Sequence, residues 1–375
     1  MTGPSSFVYL DHNATTPVRA AAAVAMAETL RHVGNPSSVH RAGRAARQEL
    51  EAARDKVARA IGLPAGGTLV FTSGGTEANA LALAGTGRRR ILRSSVEHDS
   101  VRAAASAMEI PVTKDGLVDP ATLGAMLAES GEPALVSIMA ANNETGVIQP
   151  IASLAAQAHA ADALVHCDAI QAIGKIGFDM AALGLDLVSL SAHKFGGPPG
   201  IGALALAPGL HLAALQRGGG QERGMRAGTE NLPGIAGFAA AIEAAVAEFD
   251  TFAKLANWRD AMERTLRGIE PDAVLFGAGV ARLPNTSCVA LPGVASELQI
   301  MALDLAGIGV SAGAACSSGK VRPSHVLEAM GTSPELARSA IRISLGRDTT
   351  ELDIARLVEA WGTLARRHRA KRGAA

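Results

Sequence analysis

Cysteine is scarce in this sequence, with only Cys167, Cys288 and Cys316 among 375 residues. None of them belongs to a CxxC pair, so the pattern indicates neither a disulfide framework nor a cysteine zinc site. Cys167 lies in the apolar run ALVHCD and Cys288 precedes VAL, and we assign neither a catalytic role. Cys316 lies among small and polar residues in SAGAACSSG, so its thiol is the one that we expect to be exposed and mobile.

The chain also lacks an excess of charge, since Lys plus Arg and Asp plus Glu number 35 each. No overall field therefore favours direct binding to nucleic acid or to an anionic membrane. The N-terminus has no basic start followed by an apolar core, and charged residues or glycines interrupt the Ala-rich stretches before membrane-spanning length. We expect a soluble, cytoplasmic protein whose basic tail, RRHRAKRGAA, is a solvated chain end.

What the sequence does contain is an alternation of short β-rich runs with helical patterns, from about residue 68 to 206. This alternation is typical of a mostly parallel sheet wrapped by helices, and so predicts the α/β class. The runs ALVSIMA and ALVHCD are almost wholly apolar, as expected of strands that are covered on both faces.

The sequence pattern changes after residue 230. A long Ala-rich helical pattern is followed by CVALPG, IGVSAGAAC, AIRISLG and a final amphipathic helix. The length favours one large domain with a smaller one. We predict an N-terminal segment, 1–15, that packs on the small domain, a large domain over 16–255, and a smaller α+β C-terminal domain over 256–375.

Lys194 follows an apolar strand and precedes a glycine and proline loop in SLSAHKFGGPPG. An isolated lysine is usually a surface charge. At a strand end inside an α/β crevice, partial burial would instead lower its pKa and make the amine a nucleophile toward aldehydes. Ser191 and His193 beside it could donate hydrogen bonds to a phosphate.

Two further elements fall at strand ends. Asp168, at the end of ALVHCD, suits the protonated nitrogen of a pyridine ring, but it is equally plausible as a helix cap, and both interpretations stay open. The segment SGGTEANALALAG joins a strand to a helix through glycines, so the helix N-terminus could hold a phosphate. A lysine, an aspartate and a phosphate-binding helix start occur together. The combination is stronger evidence for a cofactor site than any one of them alone.

Ten stretches carry a resemblance that extends over almost the whole chain. They are YLDHNATTP (9–17), GNPSSVHRAGR (34–44), FTSGGTEANA (71–80), EHDSV (97–101), NNETGVIQPI (142–151), HCDAIQAIGK (166–175), SAHKFGGPPGIGAL (191–204), GGGQERGMRAGTEN (218–231), SAGAACSSG (311–319) and AIRISLG (340–346). With them the chain resembles the group I cysteine desulfurases of the class V aminotransferase superfamily, the type that serves iron–sulfur cluster assembly and nitrogen fixation. The resemblance implies the large type I fold of pyridoxal 5'-phosphate enzymes, with a mostly parallel seven-stranded sheet.

The same resemblance implies roles for the site residues. Lys194 would form the internal Schiff base, His98 would stack over the cofactor ring, and Asp168 and Gln171 would pair with the ring nitrogen and hydroxyl. Asn143 would lie near both cofactor and substrate. The phosphate would be held by Gly75, Thr76, Ser191, His193 and, from the second subunit of a homodimer, Thr229.

Substrate binding and sulfur transfer are assigned in the same way. Arg342 in AIRISLG matches the arginine that clamps the substrate carboxylate, whereas its alternative is a surface arginine at a strand end. The implied reaction converts L-cysteine to L-alanine and leaves a persulfide on Cys316, with His98 assisting proton transfer. A protein sulfur acceptor, such as an iron–sulfur scaffold, would then take the sulfur. We expect no resident metal, although Cys316 could contact an iron–sulfur cluster transiently.

Two departures from the family pattern and three alternatives remain. The loop FGGPPG has no second lysine before its last glycine, and His12 stands where many relatives have another small polar residue. A selenocysteine lyase shares the fold, the cofactor and the lysine. An aminotransferase or decarboxylase of the same fold would leave the Cys316 segment as a linker. A non-catalytic scaffold is disfavoured by the intact lysine, aspartate and arginine.

Overall fold

The computed structural model describes residues 7–312 and 324–373. These residues form 12 β-strands: β1 (Val8–Tyr9), β2 (Thr68–Thr72), β3 (Arg90–Ser94), β4 (Met108–Ile110), β5 (Ala134–Ser137), β6 (Leu164–Asp168), β7 (Leu187–Ser191), β8 (Gly202–Leu206), β9 (Val274–Leu275), β10 (Thr286–Ala290), β11 (Ile308–Gly309) and β12 (Ala340–Ser344). The α-helices are α1 (Ala20–Thr29), α2 (Arg41–Ala60), α3 (Gly75–Gly85), α4 (Asp99–Arg102), α5 (Pro120–Ala128), α6 (Ile151–His159), α7 (Leu232–Ala247), α8 (Phe249–Ala253), α9 (Leu255–Ile269), α10 (Ser296–Leu305), α11 (His325–Ala329), α12 (Pro334–Ala337) and α13 (Glu351–Gly373).

Seven strands form the central sheet, in the order β2-β8-β7-β6-β5-β3-β4. Only β8 runs against its neighbours, because it pairs antiparallel with both β2 and β7, while the remaining pairs are parallel. The predicted mostly parallel, seven-stranded α/β sheet is therefore confirmed.

The strands are buried on both faces because successive side chains enter two different cores. Leu69 and Phe71 of β2 pack into the core that contains the apolar sides of α1, α2 and α7. Val70, between them, packs into a second core with α3. This double burial explains why the strands are continuous apolar runs rather than alternating ones.

A third core lies in the C-terminal part of the chain. It joins α9, α13 and the sheet β9-β10-β12, and Trp361 is fully buried in it. The indole Nε1–H of Trp361 donates to Gln299 Oε1 at 3.2 Å. Strand β1 pairs in parallel with β11, and Val8 and Leu10 belong to the same core. We keep the sequence-based boundaries, 1–15, 16–255 and 256–375, as a prediction.

The long helical pattern over 231–266 is divided in the structure. It forms α7, α8 and α9, which are separated at Glu248 and Lys254. Among the described residues, no single helix has the length and apolar content needed to cross a membrane. The bent pair formed by Leu232–Ala247 and Phe249–Ile269 meets that test by length and composition only.

Candidate active site

A cleft of about 380 Å³ opens where the carboxyl ends of the parallel strands meet the C-terminal part of the chain. Ten of the residues predicted from the sequence line it. They are Gly75, Thr76, His98, Asn143, Asp168, Gln171, Ser191, His193, Lys194 and Arg342. The structure therefore brings together residues that lie up to 267 positions apart, with Gly75 at one extreme and Arg342 at the other.

Lys194 reaches the cleft from a short 3₁₀ turn, Ala192–Lys194, that follows β7 directly. Its ammonium group donates to the carbonyl oxygens of Asn13 and Ala14, both at 2.8 Å. Burial, together with the positive charge of Arg342, lowers the pKa of Lys194 to about 8. About a tenth of the amine is thus unprotonated at pH 7, far more than for an ordinary lysine, and the unprotonated form is the nucleophile.

Asp168 ends β6 and is only 4% exposed. Its Oδ1 accepts from the backbone N–H of Ile170 at 3.0 Å, and its Oδ2 accepts from Asn79 Nδ2 at 2.8 Å. The two interpretations left open by the sequence are therefore compatible, because one oxygen caps a turn while the carboxyl group lines the cleft. Burial raises the pKa of Asp168, and the hydrogen bond from Asn79 and the charges of His98 and Lys194 oppose that rise.

The N-terminus of α3 lies at the same cleft. A Cβ at Gly75 would meet Ile170 Cδ1 at 2.2 Å and Ser191 Cβ at 3.3 Å, so the glycine lets the helix start pack closely without displacing these side chains. Thr76, Ser191 and His193 line the cleft beside it. Burial, with the charges of Lys194 and Lys175, lowers the pKa of His193 to about 4, so its ring is neutral near pH 7. These groups form a set of hydrogen-bond donors suited to a phosphate.

Arg342 lies in the middle of β12 and is buried, so the alternative of a surface arginine at a strand end is wrong. Its Nη1 donates to Asn143 O at 3.0 Å and its Nη2 donates to Asp11 Oδ1 at 2.6 Å. Its buried Nε has no partner among the described residues. The guanidinium is thus held in one orientation and still has an N–H available for a carboxylate ligand.

His98 is exposed at the cleft and caps α4. Its Nδ1 lies 2.8 Å from Ser100 Oγ, which fixes the plane of the imidazole. Gln171 lies deeper and is 5% exposed, and its Nε2 donates to Asn13 O at 2.9 Å.

Two predicted residues are not in this cleft. Thr229 is exposed and lines a separate pocket with Arg226 and Glu222, and its proposed role in a second subunit stays a prediction. Cys316, with the neighbouring glycines at 313 and 319, lies outside the described residues. The other two cysteines are buried, and burial raises the pKa of both thiols, in agreement with the absence of an assigned role.

Several residues of the site were not singled out from the sequence. Asn13 contacts Lys194, Gln171 and Asn143, and Asp11 holds Arg342. Both belong to the motif YLDHNATTP, and membership of that motif could have marked them as site residues from the sequence. Glu97 is fully buried near Asp168, and burial with that neighbouring carboxylate raises its pKa well above the usual range.

The departures from the family pattern leave this arrangement intact. Pro199 stands in place of the second lysine. It is exposed and is not among the described residues that line the cleft. His12 does not line the cleft, and together with Lys194 it lines a separate cavity of about 20 Å³. Within residues 7–312 and 324–373, no group of three or more His, Cys, Asp and Glu side chains is arranged to hold a metal ion.

The lining residues fit pyridoxal phosphate by their chemistry. The helix start at Gly75, Ser191 and His193 are donors for a phosphate, and the buried Asp168 is a partner for a pyridinium nitrogen. Lys194, with its lowered pKa, is an amine that can react with an aldehyde.

Comparison with known proteins identifies the family. The model of the class V aminotransferases matches residues 8–357, and the chain belongs to that family. Within it, the chain belongs with the cysteine desulfurases: it is 46% identical over 367 residues to a cysteine desulfurase of Cereibacter sphaeroides, with 94% of each chain covered.

Solved structures agree with this placement. The NifS-like protein of Rickettsia africae ESF-5 superposes with a TM-score of 0.89 at 35% identity, covering 95% of this chain and 98% of that one. The protein SspA, solved in complex with cysteine, gives a TM-score of 0.77 at 28% identity, covering 92% and 100%. The resemblance and the type I fold class expected from the motifs are confirmed.

Proposed function

We propose that this protein is a pyridoxal 5'-phosphate-dependent cysteine desulfurase that transfers sulfur from L-cysteine to its own Cys316. The observation that carries the proposal is one shared cleft: a lysine with a pKa lowered to about 8, a buried aspartate and an oriented arginine all line it. The class V aminotransferase family is dependent on pyridoxal phosphate, and the curated relatives at 46% and 42% identity are cysteine desulfurases.

The resemblance assigns the residues that would hold the cofactor, and their place in one cleft supports the assignment. Lys194 would bind the aldehyde carbon, Asp168 the ring nitrogen and Gln171 the ring hydroxyl. His98 would cover the ring, and Gly75, Thr76, Ser191 and His193 would bind the phosphate. When bound, pyridoxal phosphate supplies an electron sink that makes the Cα proton of an amino acid acidic.

The chain's own groups then bind the substrate and move its protons. Arg342 would bind the carboxylate of L-cysteine through its free N–H groups, beside Asn143. Lys194 Nζ, whose lowered pKa favours the neutral amine more than in an ordinary lysine, would take the Cα proton. Asp168, whose Oδ2 accepts from Asn79 Nδ2, would hold the proton on the ring nitrogen.

Sulfur transfer would take place at Cys316. Its thiolate attacks the substrate sulfur, an S–S bond forms and the C–S bond breaks. The electron pair of the C–S bond remains on carbon and is protonated, so that L-cysteine and the enzyme thiol give L-alanine and an enzyme persulfide. His98 would assist the proton transfers.

The proposal extends to partners and location. Thr229 would complete the phosphate site of a second subunit, so the active form would be a homodimer. The persulfide would pass to a protein acceptor such as an iron–sulfur scaffold, where Cys316 could contact a cluster transiently. The cytoplasm, which keeps thiols reduced, is the proposed location, without direct contact with nucleic acid or membrane.

The test combines two mass measurements. Borohydride reduction of the protein with pyridoxal phosphate should fix one cofactor on the peptide that contains Lys194, and Lys194→Met should abolish this. Brief exposure to L-cysteine should add one sulfur to the peptide that contains Cys316 and release an equal amount of L-alanine. Labelling of another lysine, or alanine without an added sulfur, would contradict the proposal.

A related measurement separates the alternatives. Cys316→Ser should lose activity on cysteine. If the variant still released selenium from selenocysteine at the wild-type rate and the wild type preferred that substrate, a selenocysteine lyase would be the better description. Amino-group transfer or decarboxylation in place of sulfur release would indicate one of the other reactions of this fold.

A further inference from the structure

A second buried lysine, Lys175, lies behind the candidate active site. It is 3% exposed and does not line the cleft of the described residues. Its Nζ donates to Asn13 Oδ1 at 2.8 Å and, in a short contact, to Gln171 Oε1. The reaction proposed above assigns no role to Lys175. A buried amine that donates to two amide oxygens therefore requires another explanation.

The direction of these hydrogen bonds fixes the two amide groups. A lysine amine must be the donor to both oxygens, because an amide oxygen has no proton to give. Asn13 Oδ1 has a second donor, Asn285 Nδ2 at 3.1 Å. Gln171 Oε1 has no partner other than Lys175 in the described parts of the chain. Lys175 therefore holds the oxygen end of the Gln171 amide, while Asn13 O accepts from its nitrogen end.

The nitrogen end of the Gln171 amide lies beside Lys194 at the cleft. Gln171 Nε2 donates one N–H to Asn13 O, and Lys194 Nζ donates to the same oxygen at 2.8 Å. Gln171 itself lines the cleft. A primary amide has two N–H groups, so one remains as a donor beside Lys194.

We propose that Lys175 is a positioning residue that keeps an N–H of Gln171, rather than its carbonyl oxygen, directed toward the cofactor site. This inference rests on the proposed function, because it assigns the free N–H to the hydroxyl oxygen of pyridoxal phosphate. A rotation of the amide by half a turn would present an acceptor to an oxygen that carries negative charge. A terminal amide rotates between these two states with little intrinsic preference, so a fixed external donor is needed.

The electrostatic surroundings of Lys175 are consistent with a donor held away from water. Burial, with the positive charges of Lys194 and Arg342, lowers its pKa well below the usual range. Across the small cavity that Lys175 lines lie His12, Arg19 and Arg347, and Asp168 and Asp11 act on Lys194 from the cleft side. A neutral lysine amine still has two N–H groups, which equals the number of its oxygen partners.

The consequence is measurable on the bound cofactor. A donor at the ring oxygen withdraws negative charge that would otherwise stabilise a proton on the neighbouring Lys194 nitrogen. Loss of the oriented donor should therefore raise the pH at which the visible absorption band of the bound cofactor titrates. The expected rise is about one pKa unit, the tenfold change typical of one hydrogen bond to a charged group.

The experiment is a double-mutant cycle on the holoenzyme, with Lys175→Met, Gln171→Leu and the double variant. Lys175→Met should raise the midpoint of the band by about one unit in the wild-type background and by less than about 0.3 unit in the Gln171→Leu background. Lys175→Arg keeps donors and has the adjacent cavity of about 20 Å³, but it places a permanent positive charge beside Lys194, so its midpoint should not rise above that of the wild type. If Lys175→Met does not fold, Lys175→Leu also lacks a donor and replaces it.

Two outcomes would overturn the inference. An equal rise in both backgrounds would show that the charge of Lys175 acts directly on Lys194, and an unchanged midpoint would show that Gln171 keeps its orientation without it. A wild-type protein with no visible band would instead contradict the proposed cofactor, so the two failures are distinguishable.

Discussion

The guanidinium of Arg342 is held by the carboxylate of Asp11, with Nη2 and Oδ1 2.6 Å apart. The two residues are 331 positions apart, and the contact links β12 with the segment after β1. The arginine expected to bind the substrate carboxylate is therefore oriented before any substrate is present. Pre-orientation of this kind lowers the entropic cost of binding.

Arg342→Lys should raise the KM for L-cysteine by at least about tenfold, because lysine keeps the charge but lacks the two-pronged donor geometry. The visible absorption of the bound cofactor should stay unchanged, since Arg342 is not assigned to hold it. Arg338→Lys, an exposed arginine four positions earlier, is the matched control and should have a wild-type KM. A wild-type KM in Arg342→Lys would remove the carboxylate clamp from the assignment.

The pKa of about 8 for Lys194 predicts how fast the apoprotein reacts with an aldehyde. Only the unprotonated amine reacts, and each pH unit below the pKa lowers its fraction about tenfold. The rate at which borohydride fixes pyridoxal phosphate on Lys194 should rise about tenfold from pH 6 to 7 and level off above about pH 8.

Asp11→Asn provides the control for that profile. The negative charge of Asp11 raises the pKa of Lys194, so its removal should shift the profile toward lower pH. A rate that continued to rise up to pH 10 would indicate an ordinary lysine.

A stability prediction concerns the buried ion pair between Arg54 and Glu222, whose side chains are 8% and 2% exposed. Glu222 binds both Nη atoms of Arg54, at 2.8 and 3.1 Å, and accepts from the N–H of Phe71 at 2.9 Å. Glu222→Ala leaves the arginine buried without that partner and should lower the free energy of unfolding by about 3–5 kcal/mol.

The matched control is Glu51→Ala. Glu51 also pairs with Arg54, but its side chain is 49% exposed, so its removal should cost less than about 1 kcal/mol. Urea unfolding of both variants measures the difference. Equal small losses would show that the Arg54 and Glu222 pair contributes little beyond its desolvation cost.

The sequence alone was sufficient to predict the central sheet and the site residues at the carboxyl ends of its strands. Strands β5, β6 and β7 are apolar runs with turn residues after them. Asp168 ends β6 and Lys194 follows β7, and parallel strands direct their carboxyl ends to one edge. Both residues could therefore be assigned to a common cleft from local patterns and the resemblance together.

The contacts around Asn13 could not be predicted in this way. Its partners Asn143, Lys175 and Thr286 lie 130 to 273 positions away, and no local periodicity encodes such pairings. The orientation of an amide group, such as that of Gln171, depends on a donor brought in by the fold. The choice between a carboxylate-binding arginine and a surface arginine at position 342 likewise depended on burial. The neighbouring residues in the sequence do not reveal whether an arginine within a strand is buried.

The last prediction concerns the three thiols. Burial raises the pKa of Cys288, with the charge of Glu144 adding to the effect, and burial raises that of Cys167 well above the usual range. Both thiols are therefore less acidic than a free cysteine and are shielded from solvent, so both should resist iodoacetamide in the native protein. Cys316, placed by its sequence among small polar residues, should react alone and give one added group per chain by mass spectrometry.

Cys316→Ser should abolish labelling, whereas Cys288→Ser should leave one group per chain and retain sulfur transfer. Two groups on the native wild-type chain would show that one of the buried thiols opens to solvent, and the assignment of the persulfide to position 316 would then need direct peptide mapping.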